Sequence, residues 1–349
     1  MLAVELRSTG DFKIARSLSE VEGGCIVQSQ FQYPSNMTNY TSPKPELWTG
    51  RRVDPALPPQ YWHQIVEFVD LREPLSSLAD ATVIIGYAVD EGVRRNQGRV
   101  GAAAGPDVAR GHLGRLAYHG SPARVLDGGN VVCPDGDLEA AQETLSQLVE
   151  VVCRAGGRPV VIGGGHDMAY GHFRGLHRAY AGEGKRFGVI NFDAHLDLRD
   201  PKDGATSGTP FRHILDEFGT DTKYLAIGIQ RAANTPELFA TAARLGVGII
   251  EDHEIIDNHS GPLNRIHKLL AEVDYLYTTV DLDGFHAGVA PGVSAPNPTG
   301  FDPHFVLQGL RYLVPKSKLV GFDVAEFNPG VDRDGITGRL VGRLVFGQI

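Results

Sequence analysis

The chain has 349 residues, 42% of them hydrophobic and 21% charged, a globular balance with enough apolar side chain for one large α/β core or two smaller ones. A net charge of −9 without a basic stripe argues against a nucleic-acid partner, although acidity alone says nothing about the substrate. No apolar run is long enough for a membrane span. Cys25, Cys133 and Cys153 are spaced for neither a disulfide framework nor a metal knuckle, which fits a reducing compartment. The N-terminus, MLAVELRSTGDFK, meets charge too early for a signal peptide, so a cytoplasmic protein is expected and the sequons at Asn36 and Asn39 are chance matches.

Residues 1–45 mix Ser, Thr, Asn and Pro with little periodicity and read as an N-terminal extension, of low order or loosely packed. Residues 46–349 read as a single domain, because no internal repeat or break in composition divides them. The first strand is TVIIGY (82–87), followed by the polar, Gly-rich loop DEGVRRNQGRVGAAAGPD (90–107). A helix over 138–152 keeps Leu138, Ala141, Leu145, Leu148, Val149 and Val152 on one face, with Asp137 as its N-cap. Next come the strand RPVVIGG (158–164), a helix near 168–180, the strand FGVINF (187–192), the strand KYLAIGI (223–229) and a helix near 236–245. VGIIE (247–251), a helix near 261–272, DYLYTTVDLD (274–283), a helix near 303–313 and KLVGFDVAEF (318–327) complete the order. The strand runs are almost continuously apolar, as strands buried on both faces are, and their alternation with helices predicts an α/β layered fold around a parallel sheet.

Three of these strands run into ionisable clusters: His166-Asp167 after RPVVIGGG, Asp193, His195 and Asp197 after FGVINF, and Asp281 and Asp283 after DYLYTTV. Two have an ordinary alternative, His166 as a turn histidine and Asp281 and Asp283 as a strand-end turn pair, whereas Asp193, His195 and Asp197 are harder to dismiss. Parallel sheets bind ligands at the carboxyl ends of their strands, so together the clusters predict one shared crevice. Carboxylates and imidazoles packed there require positive charge, and oxygen-rich ligation with a little nitrogen suits Mn²⁺ or another hard divalent ion. Two carboxylate-bridged ions would fit six ligands and could deliver hydroxide at neutral pH.

In family order, GGGHD (163–167), DAHLD (193–197) and VDLDGF (280–285) resemble the signatures of the ureohydrolases, the arginase–agmatinase–formimidoylglutamase family. The resemblance runs from about residue 46 to the end of the chain. It implies a three-layer α/β/α fold with a mainly parallel central sheet, two Mn²⁺ per subunit, and a small-molecule substrate. It also implies a homo-oligomer, though no interface is legible in the sequence. His166, Asp193, Asp197 and Asp281 look like ligands of one Mn²⁺, and Asp193, His195, Asp281 and Asp283 like ligands of the other, with Asp193 and Asp281 bridging. The resemblance further implies a metal-bridging hydroxide that attacks the amidine-type carbon, Asp197 as the proton shuttle to the leaving amine, and Glu326 as the carboxylate that holds the amidine or guanidine end.

WTGRRVDP (48–55), the 90–107 loop, SGTPFRHI (207–214), GIQRAANTPELF (228–239) and APGVSAP (290–296) resemble the formimidoylglutamase branch in particular. N-Formimidoyl-L-glutamate carries two carboxylates, and Arg99, Arg199, Arg212 and Arg231 lie in loops expected to border the crevice, where arginine clamps carboxylates bidentately. Ser207 stands where agmatinases carry a His, and His286 replaces the last Asp of Asp-x-Asp-x-x-Asp; both departures weaken a guanidine-hydrolase assignment and neither removes a ligand. His213 and His286 are substitute acid–base candidates, with an ordinary surface histidine as the simpler assignment for each. The expected activity is hydrolysis of N-formimidoyl-L-glutamate to L-glutamate and formamide in histidine degradation. The alternatives are a urea-releasing guanidino hydrolase of the agmatinase, arginase or guanidinobutyrase type, and a catalytically silent metal-binding member, against which the complete ligand set argues.

Overall fold

Successive side chains of the apolar runs pack on opposite faces of one sheet. The computed structural model describes residues 37–120, 123–257, 260–313 and 318–349. Its described strands are β1 (Tyr40–Thr41), β2 (Glu67–Phe68), β3 (Ala81–Ala88), β4 (Arg124–Val132), β5 (Arg158–Ile162), β6 (Phe187–Phe192), β7 (Thr222–Ile229), β8 (Gly248–Glu251), β9 (Tyr275–Asp281) and β10 (Leu319–Ala325). They are ordered β1-β4-β3-β5-β10-β9-β6-β7-β8, with β2 beside β4. Only β1 runs antiparallel to its neighbour.

On one face Ile84, Val160, Ile162, Ile190, Phe192 and Ile227 pack with Leu113, Ile266, Val341 and Leu344 from the helices Gly105–Gly114, Ser260–Glu272 and Ile336–Phe346. On the other, Val83, Ile85, Val161, Val189 and Tyr277 meet Leu145, Val149, Phe173, Leu176, Phe211 and Ile214 from the helices Leu138–Arg154, Met168–Tyr180 and Pro210–Phe218. This is the three-layer α/β/α arrangement, and each such side chain contributes about 1.5–3 kcal/mol by leaving water. Asp137 caps its helix by accepting the Ala140 N–H at 2.9 Å.

Within the segment assigned as an N-terminal extension, Met37 and Tyr40 are buried, and the Tyr40 hydroxyl accepts the Leu71 N–H at 3.1 Å. Asn39 is buried too, which leaves its sequon no room for a glycan. Residues 1–36, with Cys25 and Asn36, lie outside the described residues. Among the described residues no helix is long and apolar enough to cross a membrane.

The central quartet β5-β10-β9-β6 positions the site. β5 ends at Ile162, four residues before His166, and β10 ends at Ala325, next to Glu326. β9 ends on Asp281 itself, and β6 ends one residue before Asp193. All four strands are parallel, so these ends share one edge of the sheet.

Candidate metal centre and substrate cleft

The local backbone aims each polar side chain inward. After β5 the glycines 163–165 keep hydrogen-bonding as a strand would, Gly163 N–H to Val324 O at 2.7 Å and Gly164 N–H to Tyr87 O at 2.7 Å. A Cβ on Gly164 would collide with the Val89 carbonyl, so only glycine lets the chain turn there and present His166. Asp197 and Glu326 both adopt left-handed backbone, with φ of 48° and 68°. That conformation costs a non-glycine residue roughly 1–2 kcal/mol, and strain of this kind gathers at functional sites.

His166 Nδ1 lies 3.0 Å from Asp281 Oδ2, 3.1 Å from Asp197 Oδ2 and 3.4 Å from Asp193 Oδ2. His195 Nδ1 lies 3.2 Å from Asp283 Oδ1 and 3.5 Å from Asp193 Oδ1. These residues form two groups able to hold a metal ion, His166, Asp193, Asp197 and Asp281 in one and Asp193, His195 and Asp283 in the other. Asp193 is common to both. Backbone donors fix the carboxylates: the His195 N–H reaches Asp193 Oδ1 at 2.7 Å and the Asp283 N–H reaches Asp281 Oδ1 at 2.8 Å. The Asn191 amide donates to Asp193 Oδ2 at 3.0 Å.

Most of the cluster is buried, with Asp193 at 0%, His166 at 1%, Asp281 at 2% and Glu326 at 4% exposure, while His195 and Asp197 reach the surface of the cleft. Burial pushes the Asp197 carboxyl up to about 6, aided by the Asp193 charge. Burial also raises Asp283 well above the usual range, with Asp281 adding to it, and raises Glu326, with Asp281 and Asp283 adding to it. At Asp193 the His166 and His195 imidazoles outweigh burial and hold the carboxyl below its ordinary value. The charge of Asp283 raises His195, while at His166 the carboxylates of Asp193, Asp197 and Asp281 overcome the lowering by burial. Like charges this close out of water need cations among them. The donor set fits that need, because His166 Nδ1, Asp283 Oδ1 and Glu326 Oε2 are buried without a hydrogen-bond partner and, besides the two imidazole nitrogens, the atoms of both groups are carboxylate oxygens.

A cleft of about 210 Å³ opens onto this cluster, lined by His166, His195, Asp197, Asp281, Asp283 and Glu326 and, around them, by Val93, Asn96, Arg199, Ser207, Asn234, Leu238 and Ser294. Of the four arginines singled out in the sequence, only Arg199 lines it. Arg212 Nε donates to Asp216 at 2.7 Å, Arg231 forms a two-point pair with Glu251 at 2.6 and 2.7 Å, and Arg99 donates to the Val293 carbonyl at 2.6 Å. His213 packs against Tyr170 with ring centroids 4.9 Å apart, away from the lining.

Asn96, Asn234 and Ser294 were not anticipated. Asn234 accepts the Leu196 N–H at 2.8 Å and donates to the Ala194 carbonyl at 2.9 Å, clamping the DAHLD turn from outside. Asn96 donates to Ser207 Oγ at 3.1 Å, which joins the 90–107 loop to the SGTPF segment. The signal for them is segment membership, Asn96 in the 90–107 loop, Asn234 in 228–239 and Ser294 in 290–296.

The model of the arginase family matches residues 80–348. The chain is 42% identical over 302 residues to the formimidoylglutamase of Geobacillus thermodenitrificans, covering 85% of this chain and 93% of that protein. It is 45% identical over 311 residues to the formimidoylglutamase of Chromobacterium violaceum, covering 86% and 96%. Among solved structures it resembles Trypanosoma cruzi formiminoglutamase with Mn²⁺, at a TM-score of 0.68 and 28% identity over 77% of this chain and 92% of that one.

Proposed function

The chain belongs to the arginase family, and from that membership we propose that it hydrolyses N-formimidoyl-L-glutamate to L-glutamate and formamide, a step of histidine degradation. The observation that carries this is a single cleft in which two cation-binding groups sharing Asp193 face the buried Glu326 and the side chain of Arg199.

In this proposal His166, Asp193, Asp197 and Asp281 would hold one Mn²⁺, and Asp193, His195, Asp281 and Asp283 would hold the other. Bridging by Asp193 is supported by its membership of both groups. Asp281 falls in the first group alone, and its share in the second ion rests on the family resemblance. Two bound ions would supply an acidified water and polarise the substrate's amidine. Glu326 holds the cationic amidine end; its Oε1 accepts the His166 N–H at 3.0 Å, which leaves the unpartnered Oε2 for the substrate. Asp197 passes a proton to the amine of glutamate as it departs. Arg199 clamps a substrate carboxylate and so favours an acidic amidine over agmatine, which is cationic at both ends. Arg99, Arg212 and Arg231 have the protein partners given above.

Formamide release by the Mn²⁺-loaded protein from N-formimidoyl-L-glutamate tests the assignment. Urea from arginine, agmatine or guanidinobutyrate, with no formamide, overturns it in favour of a guanidino hydrolase; binding without turnover of any of them favours a silent member. Glu326→Gln keeps both metals and weakens substrate binding, which calorimetry separates. We place the enzyme in the cytoplasm as a homo-oligomer. The free thiols of Cys133 and Cys153 support a reducing compartment, and sedimentation tests the assembly.

A further inference from the structure

The 90–107 loop is fastened to two parts of the cleft wall. One is the turn that carries Glu326. Asn328, two residues further on and 1% exposed, donates through Nδ2 to the Val100 carbonyl at 3.0 Å and the Arg99 carbonyl at 3.3 Å, while its Oδ1 accepts the Gly330 N–H at 3.1 Å. A side-chain amide donates and accepts in this way; a carboxylate cannot donate, and an aliphatic side chain does neither. The approach is close, since Gly101 has φ of 131° and a Cβ there would come within 2.5 Å of Asn328 Oδ1. The Glu326 N–H donates to the Gly164 carbonyl at 2.8 Å, which ties the same turn to the segment after β5.

The other is the segment against Arg199. Asn96 donates to Ser207 Oγ at 3.1 Å, and the Ser207 N–H donates back to the Gly92 carbonyl at 3.1 Å. The next residue, Gly208, accepts the Arg199 N–H at 3.0 Å, and a Cβ on it would lie 2.9 Å from Arg199 Cδ and 3.3 Å from Asn96 Nδ2. Between these fasteners the loop is braced on itself, with the Gly101 N–H on Asp90 Oδ2 at 2.6 Å and the Gly98 N–H on the Val93 carbonyl at 2.8 Å. It also holds the 290–296 segment, because Arg99 donates from its backbone to Ser294 Oγ at 2.7 Å and from its guanidinium to the Val293 carbonyl at 2.6 Å. Covalent and hydrogen bonds thus run without a gap from Glu326 to Arg199.

We propose that the 90–107 loop sets the span between Glu326 and Arg199, with Asn328 and Asn96 as its positioning residues, and so selects acidic amidines by length. This rests on the function proposed above, with Glu326 on the amidine and Arg199 on the side-chain carboxylate. N-Formimidoyl-L-aspartate is one methylene shorter and cannot satisfy both ends of a fixed span at once. A misplacement of about 1 Å in a bound substrate costs on the order of 100-fold in rate.

The test compares kcat/KM of the Mn²⁺-loaded full chain on N-formimidoyl-L-glutamate and N-formimidoyl-L-aspartate, with metal content and unfolding midpoint measured for each variant. Wild type is expected to prefer the glutamate compound by about 100-fold or more. Asn328→Ala and the half-buried Asn96→Ala should each cut that preference to below about tenfold, chiefly by slowing the glutamate compound, with metal content as in wild type. Ser207→Ala removes the other half of the Asn96 bond, so it should match Asn96→Ala and add little to it in the double variant. These two variants carry the test alone should Asn328→Ala not fold. The role is overturned if wild type does not discriminate, if folded Asn96→Ala and Ser207→Ala keep the full preference, or if the preference falls only together with metal content. If wild type releases urea from guanidino compounds and formamide from neither amidine, the function proposed above fails and this inference with it.

Discussion

The buried charges near β4 and those at the carboxyl ends of β5, β6 and β9 are held differently. Under the sheet edge near β4, Arg110 and Asp127 are 1% and 0% exposed. Arg110 reaches both Asp127 oxygens at 2.7 Å, Asn130 at 2.7 Å and the Gly129 carbonyl at 2.9 Å, and Trp48 Nε1 donates to Asp127 at 2.7 Å. At the carboxyl ends of β5, β6 and β9 the carboxylates crowd one another, and His166 Nδ1, Asp283 Oδ1 and Glu326 Oε2 have no hydrogen-bond partner. The first network is closed and the protein completes it alone. The second is open, and its chemistry requires something the chain does not supply. Saturation, more than burial, separates a charge that serves the fold from one that serves a ligand.

Substitutions that open the closed network or disable the open one sharpen this contrast. The largest effect is expected from Asp193→Ala, which removes the carboxylate shared by both groups. Metal content should fall below two ions per chain and turnover by about 10⁴-fold or more, upwards of about 5 kcal/mol, as read by metal analysis with the formamide assay. Two ions retained with normal turnover would contradict the site. Arg110→Met should cost about 3–5 kcal/mol in urea unfolding by stranding Asp127, with kcat per folded molecule unchanged; adding Asp127→Leu should recover most of that loss. Arg199→Ala should raise KM for the acidic amidine by about 10–100-fold with little change in kcat, since one charged hydrogen-bonded contact contributes about 1.5–3 kcal/mol. Smallest is Asp137→Ala, which removes a solvent-facing helix cap and should cost about 1 kcal/mol, seen as a modest drop in unfolding midpoint with activity intact.

The sequence displayed the open region more clearly than the closed one. A continuous apolar run ending in Asp, His or Asp-x-Asp is conspicuous, and the structure gathers all three such runs at one edge of the sheet. β4 was missed because RVLDGGNVV carries Asp, Gly, Gly and Asn, residues depleted in strands. Asp127 and Asn130 are there to receive Arg110, and no local pattern announces a partner 17 or 20 residues away. The helices Gly105–Gly114 and Ile336–Phe346 were missed for a related reason, since internal glycines lower intrinsic helicity and tertiary packing of Leu113, Val341 and Leu344 replaces it. The arginines show the limit for side chains. Loop membership did not say where each points, although Asp216 four residues after Arg212 on one helix was a visible claim on that guanidinium.

The strand order also has a consequence for how the chain is made. β10, at residues 319–325, is synthesised after every other described strand, yet it lies in the middle of the sheet between β5 and β9. Until it arrives, a nascent polypeptide holds at most two half-sheets, β1-β4-β3-β5 and β9-β6-β7-β8, each with an open inner edge prone to wrong pairing. Glu326 arrives with β10, and the ends of β5 and β9 come into register only across it. The nascent chain is therefore inert until β10 is made and becomes competent in a late, long-range closure. A chain released before residue 319 should aggregate at those inner edges.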